Sequence, residues 1–484
     1  MDDIRINDQS FDSVQFRRLS DEQCAKIHSA SLEILERTGA MLYDQQAIDL
    51  LKRAGAFVSD DNRVRVPSAL VEKAFTTVPK RVVLCNRYGQ RVMQVEGHRC
   101  FYGPGSDLMN IIDHRTNERR KPVLDDVRQA MIVSDALPDI DYVMSSFLPS
   151  DVDQTIYDRY QMEAMLNYTT KPMLVVTPDF EGLELAVEMA EIVVGGAEAL
   201  ARNPLMACYI NVTSGLIHNE EALQKLMYLA ERRLPALYIP VTFGGMNAPV
   251  TMAGCLAVNN AGALLGLVVS QLTREGAPFI MPAFGTAILN MRTLAGGVPD
   301  TWGIEAELAH YYGLPMFGIA GTSAKVVDQQ AVMETAISMQ RATLSGANII
   351  HDLGYMEGGL TGSLALFVIA HEMIGYFRHS MRAVEVSDET LALDLIDAIG
   401  PLGSFLDSPH TRKHYRQYWY PRTPELVERQ KYAGWVAQGS TTLLERATQR
   451  VDEILATHEP DPLPDDMVQA IRAIVERAEA GLRH

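Results

Sequence analysis

Cysteine, tryptophan and positive charge are all scarce in this chain of 484 residues, and each shortage narrows what it does. Its five cysteines, Cys24, Cys85, Cys100, Cys208 and Cys255, stand far apart with no CxxC spacing. Neither a disulfide framework nor a zinc ribbon is indicated, no metal site is expected, and a reducing cytoplasm is the expected location. Lys and Arg number 43 against 61 Asp and Glu, a net charge of −18. Nucleic acid is not an expected partner, because phosphate binding needs a basic face. The opening MDDIRINDQSFDS is polar and acidic and has no signal-peptide apolar core. The most apolar stretch, Ala248–Leu272, is interrupted by Asn259, Asn260 and Gln271. It reads as a buried helix and not as a membrane span, so no membrane association is expected. No GxxxxGK[ST], no strand-to-helix GxGxxG and no HExxH occurs, which argues against a bound nucleotide or a zincin-type metal.

What is present is a rhythm. With 47% apolar and 21% charged residues the chain has material for a large core. Short apolar, β-branched runs recur roughly every 30 to 40 residues: Cys100–Tyr102, Tyr142–Phe147, Pro172–Val176, Pro204–Val212, Ala236–Val241, Pro278–Ala283, Pro315–Ala320 and Asn348–His351. Helix-length stretches separate them, such as Asp125–Ala136, Glu181–Val194, Asn219–Arg233, Thr251–Arg274, Trp302–Tyr312 and Asp328–Ser345. Parallel neighbours need crossovers of this length, so the beat predicts an α/β fold, a (β/α)8 TIM barrel. Residues 1–97 are expected to form an N-terminal α+β extension, 98–384 the barrel and 385–484 a helical C-terminal extension. Ser20-Asp-Glu-Gln23 has capping-box spacing and predicts a helix start.

In such a barrel the loops after the strands share one face, and that face carries the chemistry. His351-Asp352-Leu-Gly-Tyr355-Met-Glu357 follows the eighth run and offers a base, two carboxylates and a phenol within seven residues. His351 and Asp352 either tie the loop down or act on a substrate; the position after a barrel strand favours action. Phe101-Tyr102-Gly103-Pro104-Gly105-Ser106-Asp107 follows the first run, where GPG is either a plain turn or part of a site. Phe243, Phe284 and Phe317 fall on or near the same face. Aromatic rings converging on one pocket hold quaternary ammonium ions by cation–π attraction, roughly a kcal/mol per ring. Lys325 follows the seventh run and reads more simply as a solvated lysine at a helix start than as a Schiff-base amine.

Two stretches carry a resemblance: Ala320-Gly-Thr-Ser-Ala-Lys-Val-Val-Asp-Gln-Gln-Ala331, and Ser345-Gly-Ala-Asn-Ile-Ile-His-Asp-Leu-Gly-Tyr-Met-Glu-Gly-Gly-Leu-Thr-Gly-Ser363. Together with the opening LSDEQCAKIHSASLEILERTGA, the chain resembles the trimethylamine methyltransferase superfamily over nearly its whole length. That resemblance implies a barrel that moves a methyl group from an amine to the Co(I) of a separate corrinoid protein. The corrinoid-binding DxHxxG pattern is absent here, Asp113-His114 lacking the spacing, so the cofactor is expected on the partner and none on this chain. All 484 positions are standard amino acids, which places the resemblance with the branch lacking pyrrolysine, whose members act on quaternary amines such as glycine betaine, proline betaine and carnitine. The expected reaction is demethylation of glycine betaine to dimethylglycine, or the same reaction on another betaine or on γ-butyrobetaine. The substrate-binding set is then Phe101, Tyr102, Gly103, Ser106, Asp107, Phe243, Phe284, His351, Asp352, Tyr355 and Glu357. A protonated His351 or backbone N–H groups would take the carboxylate, and Tyr102, Phe243, Phe284 and Tyr355 would surround the ammonium. No catalytic acid is required, because the leaving group is a neutral amine. The rival readings are a Schiff-base lyase using Lys325 and a betaine-binding protein without activity. Assembly into a homo-oligomer is expected.

Overall fold

The structure, a computed structural model, describes residues 16–59, 62–282, 287–288, 290, 292, 303–418 and 426–482. Its centre is a ring of parallel segments that closes on itself. Phe101–Tyr102 pairs with Ile349–His351, which pairs with Phe317–Ile319. Met316 bridges Met281, next to Phe279–Ile280, and that strand pairs with Ala236–Pro240. The order continues through Met206–Val212 and Met173–Val175 to a bridge at Val143. The Asp141 N–H then donates to the Tyr102 carbonyl at 2.8 Å, returning to the start. The eight members are the eight apolar runs in sequence order, and helices connect them, so the protein is mixed α/β.

The second run contributes only residues 141–143 to the ring. Ser146 sits at φ 62°, which breaks the extended run. The chain turns there to pair with the first loop, Ser146 N–H donating to the Gly105 carbonyl and Leu108 N–H to the Ser146 carbonyl at 2.9 and 3.0 Å. Helix starts follow their caps. Ser20 and Gln23 form the reciprocal box that starts helix Asp21–Glu33, Asp179 accepts from the Gly182 N–H, and Asp328 from the Gln330 and Ala331 N–H groups. The expected Trp302–Tyr312 helix is present as Glu305–Tyr312, with Trp302 outside the described residues.

Helix Met252–Thr273 is long and apolar enough to cross a membrane by length and composition, yet 83% of its most apolar window is buried inside the protein. The asparagines that interrupt its sequence explain why. Asn259 donates to the Pro240 carbonyl at 2.7 Å, fastening the helix to the ring. Asn260 donates to Ser31 Oγ and to the Tyr312 hydroxyl, both at 2.9 Å, fastening it to the N-terminal helix and to Glu305–Tyr312. The hairpin Val82–Cys85/Arg91–Val95 lies at the strand-entry end of the ring, where the Cys85 N–H donates to the Pro204 carbonyl at 2.7 Å. At the C-terminus, Leu443–Thr457 and Asp465–Gly481 fold back onto the early crossover helices, through His458 on Asp135 at 2.9 Å and the Tyr160 hydroxyl on Glu479 at 2.8 Å.

Candidate active site

Aromatic side chains from several ring segments meet at the strand ends. Along Met206–Val212, Cys208, Ile210 and Val212 are buried, while Tyr209 is half-buried and Asn211 exposed. A strand flanked on both sides within a closed ring exposes alternate residues only where the ring interior is open. Tyr209 reaches across that interior: its ring centroid is 5.4 Å from Phe317 at an edge-on 68° and 6.3 Å from His351. Phe317 and His351 are 4.0 Å apart. Three ring segments, the fourth, seventh and eighth, thus contribute one ring each to a single aromatic cluster.

The first loop closes over this cluster. A Cβ at Gly103 would lie 2.7 Å from the Tyr142 ring, and one at Gly105 would lie 2.1 Å from Asp352 Oδ1 and 2.4 Å from Tyr355 Cζ. No side chain fits at either place, so GPG is a loop pressed against Tyr142, Asp352 and Tyr355 and more than a turn. Tyr142 is fully buried, and its hydroxyl has no hydrogen-bond partner among the described residues. The Tyr355 hydroxyl donates to the Ser106 carbonyl.

His351 and Asp352 face each other in a site whose burial disfavours charge on both. His351 Nδ1 lies 2.6 Å from the Gly318 carbonyl, which only accepts, so Nδ1 carries the hydrogen. Burial pulls the imidazole down to about 3, leaving Nε2 a bare acceptor. Asp352 Oδ2 faces it at 3.1 Å, and burial pushes that carboxyl well above the usual carboxylate range. Protonated, Asp352 donates to Nε2. The expected imidazolium for a substrate carboxylate is therefore not what this burial produces. Asp107, at φ 60°, accepts from Gln161 Nε2 at 3.0 Å and from Ser145 Oγ at 3.4 Å, and burial raises it to about 6.

The other residues singled out from the sequence lie elsewhere. The Tyr102 ring points outward, its hydroxyl 2.9 Å from Thr343 Oγ1 and the Arg378 guanidinium 5.3 Å over its face, both on outer helices. Phe101 is buried in the core. Glu357 faces the outer side of the rim, accepting from Arg119 at 2.9 Å and from Thr361 at 2.6 Å. Phe243 is half-buried in the rim pairing of Phe243–Gly244 with Ala287–Ile288. Phe284 falls outside the described residues. Lys325 is exposed and donates to the Ser323 carbonyl at 2.6 Å, without the desolvation a Schiff-base amine needs.

Two features went unread in the sequence. Tyr209 and Asn211 are a polar alternation within an apolar run, a period-two signal that marks inward positions. The second is a rim sheet in the order Tyr355–Met356, Thr361–Gly362, Asn110–Ile112, Arg119–Arg120. It ties the first loop to the eighth and holds Tyr355 over Gly105. Behind the rim, a crevice between Leu108, Phe147, Leu353 and Phe367 leaves about 10 Å³ of room, at the limit for one water. It is too small for an amine substrate.

The fold is a mixed α/β ring with a cluster of aromatic and carboxyl side chains at its strand ends, and comparison with known proteins gives its class. The family model "Trimethylamine methyltransferase (MTTB)" matches residues 8–482. The trimethylamine methyltransferase of Desulfitobacterium hafniense is 31% identical over 467 residues, spanning 95% of this chain and 93% of that one. The glycine betaine methyltransferase of another D. hafniense strain is 26% identical, spanning 95% and 97%. The crystal structure of the Methanosarcina barkeri monomethylamine methyltransferase aligns over 93% of this chain and 97% of its own, at 12% identity and a TM-score of 0.44. The chain belongs to the trimethylamine methyltransferase family and is a methyltransferase.

Proposed function

We propose that this enzyme takes a methyl group from a small quaternary ammonium compound and delivers it to the Co(I) of a corrinoid carried by a separate protein. In this reading the closed ring is a (β/α)8 barrel and the chamber at its strand ends is the substrate pocket. The observation that carries it is the convergence of Tyr142, Tyr209, Phe317 and Tyr355 on one chamber beside the carboxyl groups of Asp107 and Asp352. Each favourably placed ring attracts a permanent cation by roughly 1 kcal/mol, more when desolvated. A bound cation also draws the two raised carboxyls toward ionisation, which strengthens its own binding. The tertiary amine leaves neutral, so the protein's task is to orient one methyl toward the chamber mouth and exclude water.

Glycine betaine, giving dimethylglycine, is the first substrate to test. One observation favours a second reading, a cation without a carboxylate. The charged groups that act most strongly on Tyr142, Tyr209 and Tyr355 among the described residues are aspartates, with no lysine or arginine among them. The experiment is a panel of glycine betaine, proline betaine, carnitine, γ-butyrobetaine, choline and tetramethylammonium with a reduced corrinoid protein, followed by the absorbance change of cobalt methylation. Methylation by a betaine supports the first reading; methylation by choline or tetramethylammonium alone supports the second. Tight calorimetric binding without cobalt methylation by any compound refutes both.

A further inference from the structure

Among the described residues between helix Leu364–Ser380 and helix Leu443–Thr457 there are four short helices, Asp388–Leu391, Leu393–Ile399, Pro409–Tyr418 and Tyr432–Ala437, and none of them buries a single residue. Helices of ten residues or fewer are marginal in water without a packed face. The apolar side chains that would supply such a face point into solvent: Val384 is 81% exposed, Val386 72%, Leu393 68%, Leu402 100% and Leu406 75%. Soluble monomers rarely leave so many large apolar side chains in solvent along one short stretch, and such a stretch marks an interaction surface.

The charges on this arm are sorted by sign. Residues 383–408 hold Glu385, Asp388, Glu389, Asp394, Asp397 and Asp407 with no Lys or Arg, whereas Pro409–Tyr418 holds Arg412, Lys413 and Arg416 with no acid. Glu389 uses Lys413 and His414 within the chain. Asp394, Asp397, Arg412 and Arg416 form no ion pair among the described residues. A surface with separate blocks of both signs beside an apolar strip is complementary to itself. In a two-fold contact each acidic block faces the basic block of the other copy, twice over.

We propose that residues 383–418 are the surface through which two copies of this chain associate, with the apolar strips packed together and Arg412 and Arg416 of each copy facing Asp394 and Asp397 of the other. The test is sedimentation velocity on the full chain at micromolar concentration. The wild type is expected to sediment as a dimer or a higher assembly. Leu402→Arg, at a fully exposed position that leaves the monomer fold intact, is expected to weaken association at least tenfold. Arg412→Glu with Arg416→Glu is expected to do the same, and adding Asp394→Arg with Asp397→Arg is expected to restore it. A monomeric wild type, or Leu402→Arg and charge-reversed proteins that associate as the wild type does, overturns the proposal.

Discussion

Asp107→Asn tests the electrostatics of the chamber with little disturbance to its shape. Asparagine keeps the Oδ1 acceptor that Gln161 and Ser145 use, and it tolerates the φ of 60° at this position. The native carboxyl is raised from 3.8 to about 6 by burial. A difference of about two units corresponds to about 3 kcal/mol, which solvent screening at a half-buried group reduces to about 2. The sign follows from which state binds the proton. Below about pH 4 the group is protonated folded and unfolded and contributes nothing; between about 4 and 6 the unfolded chain ionises first, so wild-type stability falls as pH rises. Asp107→Asn is therefore expected to match the wild type near pH 4 and to exceed it by about 2 kcal/mol above about pH 6, read by urea unfolding across that range. Calorimetric affinity for a tetramethylammonium probe is expected to fall as pH drops through about 6 in the wild type and to be weaker and flatter in the variant. A stability difference that does not change with pH refutes the reasoning.

Gly105→Ala puts a methyl group 2.1 Å from Asp352 Oδ1; kcat/KM is expected to collapse while thermal unfolding shows an overpacking cost of about 1–3 kcal/mol. Tyr102→Phe removes one buried hydrogen bond to Thr343 and is expected to cost about 1 kcal/mol with KM unchanged, so a raised KM would place that ring in the chamber. Arg378→Met leaves Asp139 and Asp141, which its guanidinium holds at 2.7 Å each, facing one another without it. Chemical denaturation is expected to show a loss of about 3 kcal/mol.

The features legible in the sequence were the ones written locally. Ser20 and Gln23 start a helix because four consecutive residues satisfy one another, and seven of the eight apolar runs form strands because β-branched and aromatic side chains fit a pleated, buried surface. The loop after the eighth run was found for the same reason, since His351, Asp352 and Tyr355 are neighbours in sequence and in space. Tyr102 and Tyr142 show where such reading stops. Both are tyrosines in apolar runs, yet one ring packs against the outer helices and the other against the chamber loop. Which of two alternating faces turns inward is set by the twist and register of the closed ring, a property of all eight segments together.

The amino-acid order alone dictated seven of the ring's strands, their helices, the glycine loops and the family, because propensity, capping and motif act over a few residues. Folding of the whole chain was needed to bring Tyr209 to Phe317 and His351, to lay the Tyr355 rim sheet over Gly105, and to bury the His351–Asp352 pair. Those outcomes depend on distance and dielectric across the assembled ring, and no local pattern encodes them.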